Sequence, residues 1–226
     1  MTGVQVHVKV CCMASIDEVH LAARLGARAV GLVGDMPSGP GVIGAQAAAE
    51  IAREAPSGLD TFLLTGAVRA ADIANELASC PASTVQIVRH IDPEEYPALI
   101  EAVPKVQRVQ VIHIEDESAL ALAARYTPFV HAFLLDSGRT SGATPQFGGT
   151  GNTHDWSISA RFVAQTELPV YLAGGLKSGN VFDAVTQVRP YGVDLCTGVR
   201  TNDQLDEAKL QTFMAEVRRA GAALNT

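Results

Sequence analysis

A single parallel (β/α)8 barrel of the α/β class is the fold these 226 residues predict, and three observations carry the prediction. Short apolar runs alternate regularly with longer stretches of helical period, the pattern of parallel strands covered by helices. Eight such pairs can be counted, whereas an open doubly wound sheet has about six and carries a glycine-rich turn after its first strand. That turn is missing: Cys11-Cys12-Met13-Ala14-Ser15 follows strand one. The length also fits, because such barrels occupy about 200–250 residues as one domain. Residues 1–226 are therefore expected to form one domain without a linker.

The strands are expected at 4–10, 29–34, 61–66, 84–90, 108–114, 132–136, 169–173 and 192–197, each short and rich in Val, Ile and Leu as befits strands covered on both faces. Between them, 16–25, 45–54, 70–78 and 93–102 repeat apolar residues at three- and four-residue steps and are expected to be helices. Ser15, Asp92, Asp155 and Ser178 stand where a side-chain oxygen would accept from the unpaired amides of a first helical turn. Two glycine-rich loops, 36–44 after strand two and 137–153 after strand six, are longer than a connection needs. Both would open on the C-terminal face, where barrels keep their chemistry.

Hydrophobic residues make up 47% of the chain, enough for a substantial core. Its 24 acidic and 17 basic residues give a net charge of −7 with no run of like charges, which argues against nucleic acid or an anionic membrane and for a small ligand. No leader pattern or run of roughly 20 apolar residues is present, so a cytoplasmic protein is expected. Cys11, Cys12, Cys80 and Cys196 lack the paired spacing of a zinc site and the density of a disulfide scaffold. They read as reduced thiols, and neither metal nor cofactor is expected. Nothing in the sequence indicates the oligomeric state.

Chemistry is expected at strand ends. Side chains alternate along a strand, so Lys9 and Cys11 face one side while Val10 and Cys12 face the other. A thiol near a cation loses its proton readily, which makes Cys11 a candidate base and Lys9 its neighbour. Strand six, Phe133-Leu134-Leu135-Asp136, stops at a carboxylate that is too costly to bury unpaired, a candidate acid or base. Gly148-Gly149-Thr150-Gly151 precedes a helix start at Asp155, and Gly174-Gly175 and Thr197-Gly198 close strands seven and eight, the two adjacent ends that bind phosphate in many barrels. Each glycine pair alone would equally serve a tight turn.

In order, Lys9-Val10-Cys11, Leu134-Leu135-Asp136, Gly148-Gly149-Thr150-Gly151 with Asp155-Trp156, Ala173-Gly174-Gly175-Leu176 with Asn180-Val181, and Gly192-Val193-Asp194 with Thr197-Gly198-Val199 resemble the phosphoribosylanthranilate isomerase family, whose fold is the TIM barrel. The resemblance implies a cofactor-free Amadori rearrangement of an N-aryl phosphoribosylamine, a step of tryptophan biosynthesis when the aryl group is anthranilate. It implies Asp136 as general acid, Cys11 as general base, and phosphate held by Gly174, Gly175, Thr197 and Gly198; Lys9, Arg89, Gly149 and Thr150 are expected on the rest of the substrate. Three departures stand out. Cys12 replaces the glycine of the family's first motif, Met36-Pro37-Ser38-Gly39-Pro40 lacks the arginine that meets the anthranilate carboxylate, and strand four reads Gln86-Ile87-Val88-Arg89-His90. Arg89 is the substitute for that arginine, with His90 and His113 as further candidates. Competing readings are a barrel enzyme for a different phosphosugar, a Schiff-base lyase or aldolase using Lys9 or Lys177, and a non-catalytic phosphosugar-binding protein.

Overall fold

The computed structural model describes residues 5–34, 36, 41–138 and 153–225. Eight parallel strands close into a barrel in chain order: β1 (His7–Val10), β2 (Ala29–Val33), β3 (Asp60–Thr65), β4 (Thr84–Ile87), β5 (Gln107–His113), β6 (Ala132–Asp136), β7 (Val170–Leu172) and β8 (Gly192–Leu195). Helices α1 (Ile16–Leu25), α2 (Ala45–Glu54), α3 (Ala70–Ser79), α4 (Glu95–Ala102), α5 (Ala119–Tyr126), α6 (Trp156–Gln165), α7 (Val181–Val188) and α8 (Glu207–Ala223) alternate with them, as expected. Closure pairs β8 with β1 in the register Lys9↔Asp194 and Val10↔Leu195, which brings the ends of these two strands side by side.

The alternation of the strands divides the core in two. Val8, Val10, Leu32, Leu63, Ile87, Ile112, Leu135 and Leu172 pack outward against the helices. Ala29, Val33, Phe62, Leu64, Val111, Leu134 and Tyr171 fill the barrel, and Cys11 belongs with them. Such layers of side chains make the interior a packed core with its open face at the strands' C-terminal ends.

Helix starts follow local chemistry. Ser15 Oγ accepts the Glu18 amide at 3.3 Å and opens α1, which Gly26 ends in the left-handed region at φ 102°. Asp155 accepts the Ser157 amide at 2.8 Å and opens α6. Asp92 caps the turn ahead of α4, accepting from Glu94 at 3.1 Å. Ser178 does not open α7: the N-cap is Asn180, whose side chain turns back to accept the Lys177 amide at 2.8 Å. The sequence reading also omits a hairpin between β8 and α8, formed by β9 (Arg200–Thr201) and β10 (Gln204–Leu205). Asn202 and Asp203 make its turn at φ 50° and 61°, a left-handed pair suited to a two-residue hairpin. Among the described residues no helix is long and apolar enough to cross a membrane.

Candidate active site

The β1 end is built around a buried ion pair. Lys9 is fully buried, and its Nζ lies 3.0 Å from Asp194 Oδ1 across the β1–β8 pairing, with the Phe62 ring 5.3 Å away. Burial is the largest influence and works to lower the lysine pKa, but the charge and hydrogen bond of Asp194 together with the nearby Cys11 and Cys12 outweigh it and hold the ammonium protonated. Above the pair sits Cys11. A Cβ on Gly31 would lie 2.5 Å from Cys11 Sγ and 3.1 Å from Lys9 Nζ, so thiol and ammonium flank the space that this glycine leaves open. Any larger residue at 31 would displace one of them.

Cys12 departs from strand alternation. Its φ is 64°, a left-handed conformation that costs an L-residue about 1–2 kcal/mol and that glycine accepts freely. The turn keeps the backbone of a glycine and brings the Cys12 side chain to the same inner cluster as Cys11, not to the opposite face. The Cys12 thiol hydrogen-bonds to Cys11 and to Cys196, the Cys11 contact being the larger cause that raises the Cys12 pKa. At Cys11 the same hydrogen bond lowers the thiol pKa; burial opposes it and the Lys9 charge reinforces it. One thiol is thus favoured as the anion and its neighbour as the proton donor.

Asp136 ends β6 half-buried, in register with His113, on the parity of Ala132 and Leu134 that fills the barrel. Its Oδ1 accepts the Ser137 amide at 2.7 Å, and its carbonyl accepts from Ile114 at 2.9 Å. His154 feels the Asp136 charge, yet burial dominates and lowers its pKa to about 4. Its Nε2 lies 2.7 Å from Ser159 Oγ.

Glycines draw the ends of β6, β7 and β8 together. Gly174 and Gly175 take φ 83° and 60°, and a Cβ on Gly174 would lie 2.9 Å from Ser137 Oγ, beside Asp136. A Cβ on Gly198, in the 3-10 turn Thr197–Val199, would lie 2.2 Å from the Leu176 carbonyl oxygen. Asn180 fixes the loop between them by donating to the Gly175 carbonyl at 3.0 Å. The two expected phosphate-binding ends are therefore contiguous with each other and with the β6 end.

Other expected site residues fall differently. Lys9 serves Cys11 from beneath: its full burial and its pairing with Asp194 leave no exposed ammonium for a substrate contact, and a raised pKa opposes the neutral amine that a Schiff base needs. Lys177 is exposed on the β7–α7 loop. Arg89 is exposed at a bend two residues beyond β4. Burial lowers His90 to about 4, its ring 6.0 Å from that of His113, whose Nε2 lies 2.9 Å from the Val88 carbonyl oxygen. Gly149, Thr150 and the segment 37–40 lie outside the described residues. Among the described residues no three His, Cys, Asp or Glu side chains are arranged to hold a metal ion.

Two positioning groups escape the sequence reading. Asp194 is one, although a lysine in a strand's core-facing register demands such a partner. The other is a clamp in which Arg200 Nη2 lies 2.9 Å from Glu18 Oε2 and donates to the Cys12 carbonyl, while Glu18 accepts the Ala14 and Leu205 amides at 3.0 and 2.9 Å. Burial works against the Glu18 anion, but Arg200 and these amides hold its pKa below the usual value. The clamp ties the Cys11–Cys12 turn to the hairpin after β8.

Comparison with known proteins places this arrangement. A sequence model described as N-(5'-phosphoribosyl)anthranilate (PRA) isomerase matches residues 8–216. The N-(5'-phosphoribosyl)anthranilate isomerase of Haloferax volcanii is 36% identical, over 96% of this chain and 96% of that protein. The crystal structure of phosphoribosyl anthranilate isomerase from Thermotoga maritima superimposes with a TM-score of 0.80 at 24% identity, covering 95% of this chain and 100% of that one. A phosphoribosyl anthranilate isomerase in complex with reduced 1-(o-carboxyphenylamino)-1-deoxyribulose 5-phosphate shares the fold at TM-score 0.78 and 21% identity, covering 95% and 100%. A family match that runs from β1 into α8, over the strand ends where Cys11, Asp136 and the glycine pairs converge, makes this chain a member of the phosphoribosylanthranilate isomerase family.

Proposed function

We propose that this chain catalyses the Amadori rearrangement of N-(5'-phosphoribosyl)anthranilate to 1-(o-carboxyphenylamino)-1-deoxyribulose 5-phosphate in tryptophan biosynthesis, as one cytoplasmic domain spanning residues 1–226. The observation that carries the reading is the placement of Cys11, above a buried ammonium, and Asp136 at inward-facing ends of β1 and β6. Asp136 gives its proton to the furanose ring oxygen as the bond from that oxygen to C1 breaks, leaving a protonated Schiff base. The Cys11 thiolate takes the proton from C2, whose acidity the iminium has raised, and the resulting enolamine becomes the ketone as C1 gains a proton and the C2 hydroxyl gives one up. No electrons leave the substrate and no cofactor is needed.

Phosphate is assigned to the loop ends of Gly174, Gly175, Thr197 and Gly198, whose tight glycine geometry lets backbone amides approach an anion. Its binding energy would hold the sugar between acid and base. Gly149 and Thr150 are assigned to the sugar, and Arg89 to the aryl carboxylate by turning its exposed side chain over the β4 end. Expression in a bacterium lacking its own phosphoribosylanthranilate isomerase tests the reading: growth without tryptophan is expected, and no growth despite folded protein would overturn it.

A further inference from the structure

Of the three thiols at the β1 and β8 ends, the mechanism uses one. Cys12 and Cys196 are both reduced; they follow the paired ends of β1 and β8, where the Cys11 amide donates to the Leu195 carbonyl at 2.8 Å, and the Cys12 thiol interacts with those of Cys11 and Cys196. Cys12 is buried, while Cys196 is half-buried and packs against the same inner cluster. The left-handed φ of Cys12 turns its side chain to this place, and the chain packs behind it: a Cβ on Gly41 would lie 2.4 Å from Cys12 Cβ and 3.1 Å from its Sγ. Arg200 donates to the Cys12 carbonyl, and its guanidinium interacts electrostatically with Cys196 and Cys12. Lys9 and Asp194 below and Glu18 beside Arg200 complete the charged surroundings.

We propose that Cys12 and Cys196 are an oxidative modification site: a hydroperoxide joins them in a disulfide across the β1–β8 ends, and this disulfide attenuates the base Cys11. The effect on turnover rests on the function proposed above; the disulfide does not. The Cys196 thiolate attacks one peroxide oxygen, the O–O bond breaks, and the leaving hydroxide takes a proton to become water. The Cys12 sulfur then attacks the Cys196 sulfenic acid; an S–S bond forms, the S–O bond breaks, and hydroxide leaves as water with the Cys12 proton. Two thiols lose two electrons and one hydrogen peroxide becomes two waters. The oxidised Cys12 has no S–H to donate to Cys11, so the Cys11 pKa rises, and each unit removes up to about tenfold of the thiolate at neutral pH.

The test treats the full-length protein with hydrogen peroxide, maps disulfides by mass spectrometry of a non-reduced digest, and follows turnover before and after dithiothreitol. Expected are a Cys12–Cys196 link and a fall in turnover that dithiothreitol reverses. Cys196→Ser should turn over normally when reduced, yet form no link and show no reversible loss. A wild-type protein that acquires no link overturns the proposal, as does a link to Cys196 that persists in Cys12→Gly, since Cys11 would then be the partner. A linked protein that keeps full turnover refutes the attenuation. Protein that forms the link but never turns over the substrate supports the thiol pair and refutes only the proposed function.

Discussion

Replacing Lys9 by methionine would remove the ammonium beneath Cys11 while keeping most of the side chain's bulk. Cys11 Sγ and Lys9 Nζ lie 2.5 and 3.1 Å from one point, so they are no farther apart than those two distances laid end to end. At about 5 Å and an effective dielectric near 20, two unit charges interact by roughly 3 kcal/mol, equivalent to about two pKa units. Asp194 cancels part of this, since its charge raises the Cys11 pKa. A net rise of about one unit is expected, and tenfold less thiolate wherever the pH is below the thiol pKa. Because the base acts deprotonated, kcat/KM should climb with pH, with its ascending limb below the ordinary thiol value of 9.0 in the wild type and displaced upward in Lys9→Met. The variant leaves a carboxylate buried without its partner, at a cost of roughly 3–5 kcal/mol. The double variant Lys9→Met/Asp194→Asn removes that penalty and should show the displaced limb at near-normal stability. Limbs that coincide in folded wild type and variants would refute the claim that Lys9 tunes the base.

Gly198→Ala should press its methyl group on the Leu176 carbonyl, 2.2 Å from the ideal Cβ position, and spread the β7 and β8 loop ends. If one charge-assisted bond to phosphate is lost, at about 1.5–3 kcal/mol, KM rises roughly ten- to hundredfold with a smaller change in kcat; steady-state kinetics with an unchanged KM would contradict the assignment. Acid should weaken the fold through His90 and His154, whose folded pKa values are about 4 against 6.5 when unfolded. As pH falls through 6.5 the unfolded chain takes up these protons first, so stability present above 6.5 is lost down to about 4, on the order of 3 kcal/mol at most for His154 and less for His90, whose greater exposure to water screens it. Urea unfolding at pH 7 and 4.5 checks this, with a shallower loss expected for His90→Phe.

The barrel was legible because both periods are written plainly: α1 and α2 begin and end where the apolar repeat does, and the strand ends at Cys11 and Asp136 stand out as polar stops on apolar runs. Alternation failed at Cys12, where a left-handed turn breaks the period of two and puts two adjacent thiols in one cluster. The role of Lys9 was half legible. Its nearness to Cys11 follows from strand spacing, but its partner Asp194 is 185 positions away and becomes visible only when the barrel closes in the register of β1 with β8. The Glu18–Arg200 clamp stayed hidden for the same reason, as it joins the first helix to a hairpin whose two-residue strands give no periodic signal. Arg89 follows β4 at a bend, where strand spacing no longer dictates the direction of a side chain.

The division of labour between Cys11 and Asp136 is tested most directly by following the loss of phosphoribosylanthranilate fluorescence with purified wild type, Cys11→Ala and Asp136→Asn. General acid or base action contributes about 10²–10⁴-fold. The wild type should convert the substrate, and each variant, folded and still binding product, should lose turnover by that order. Folded wild type without turnover, or either variant retaining full activity, would contradict the account.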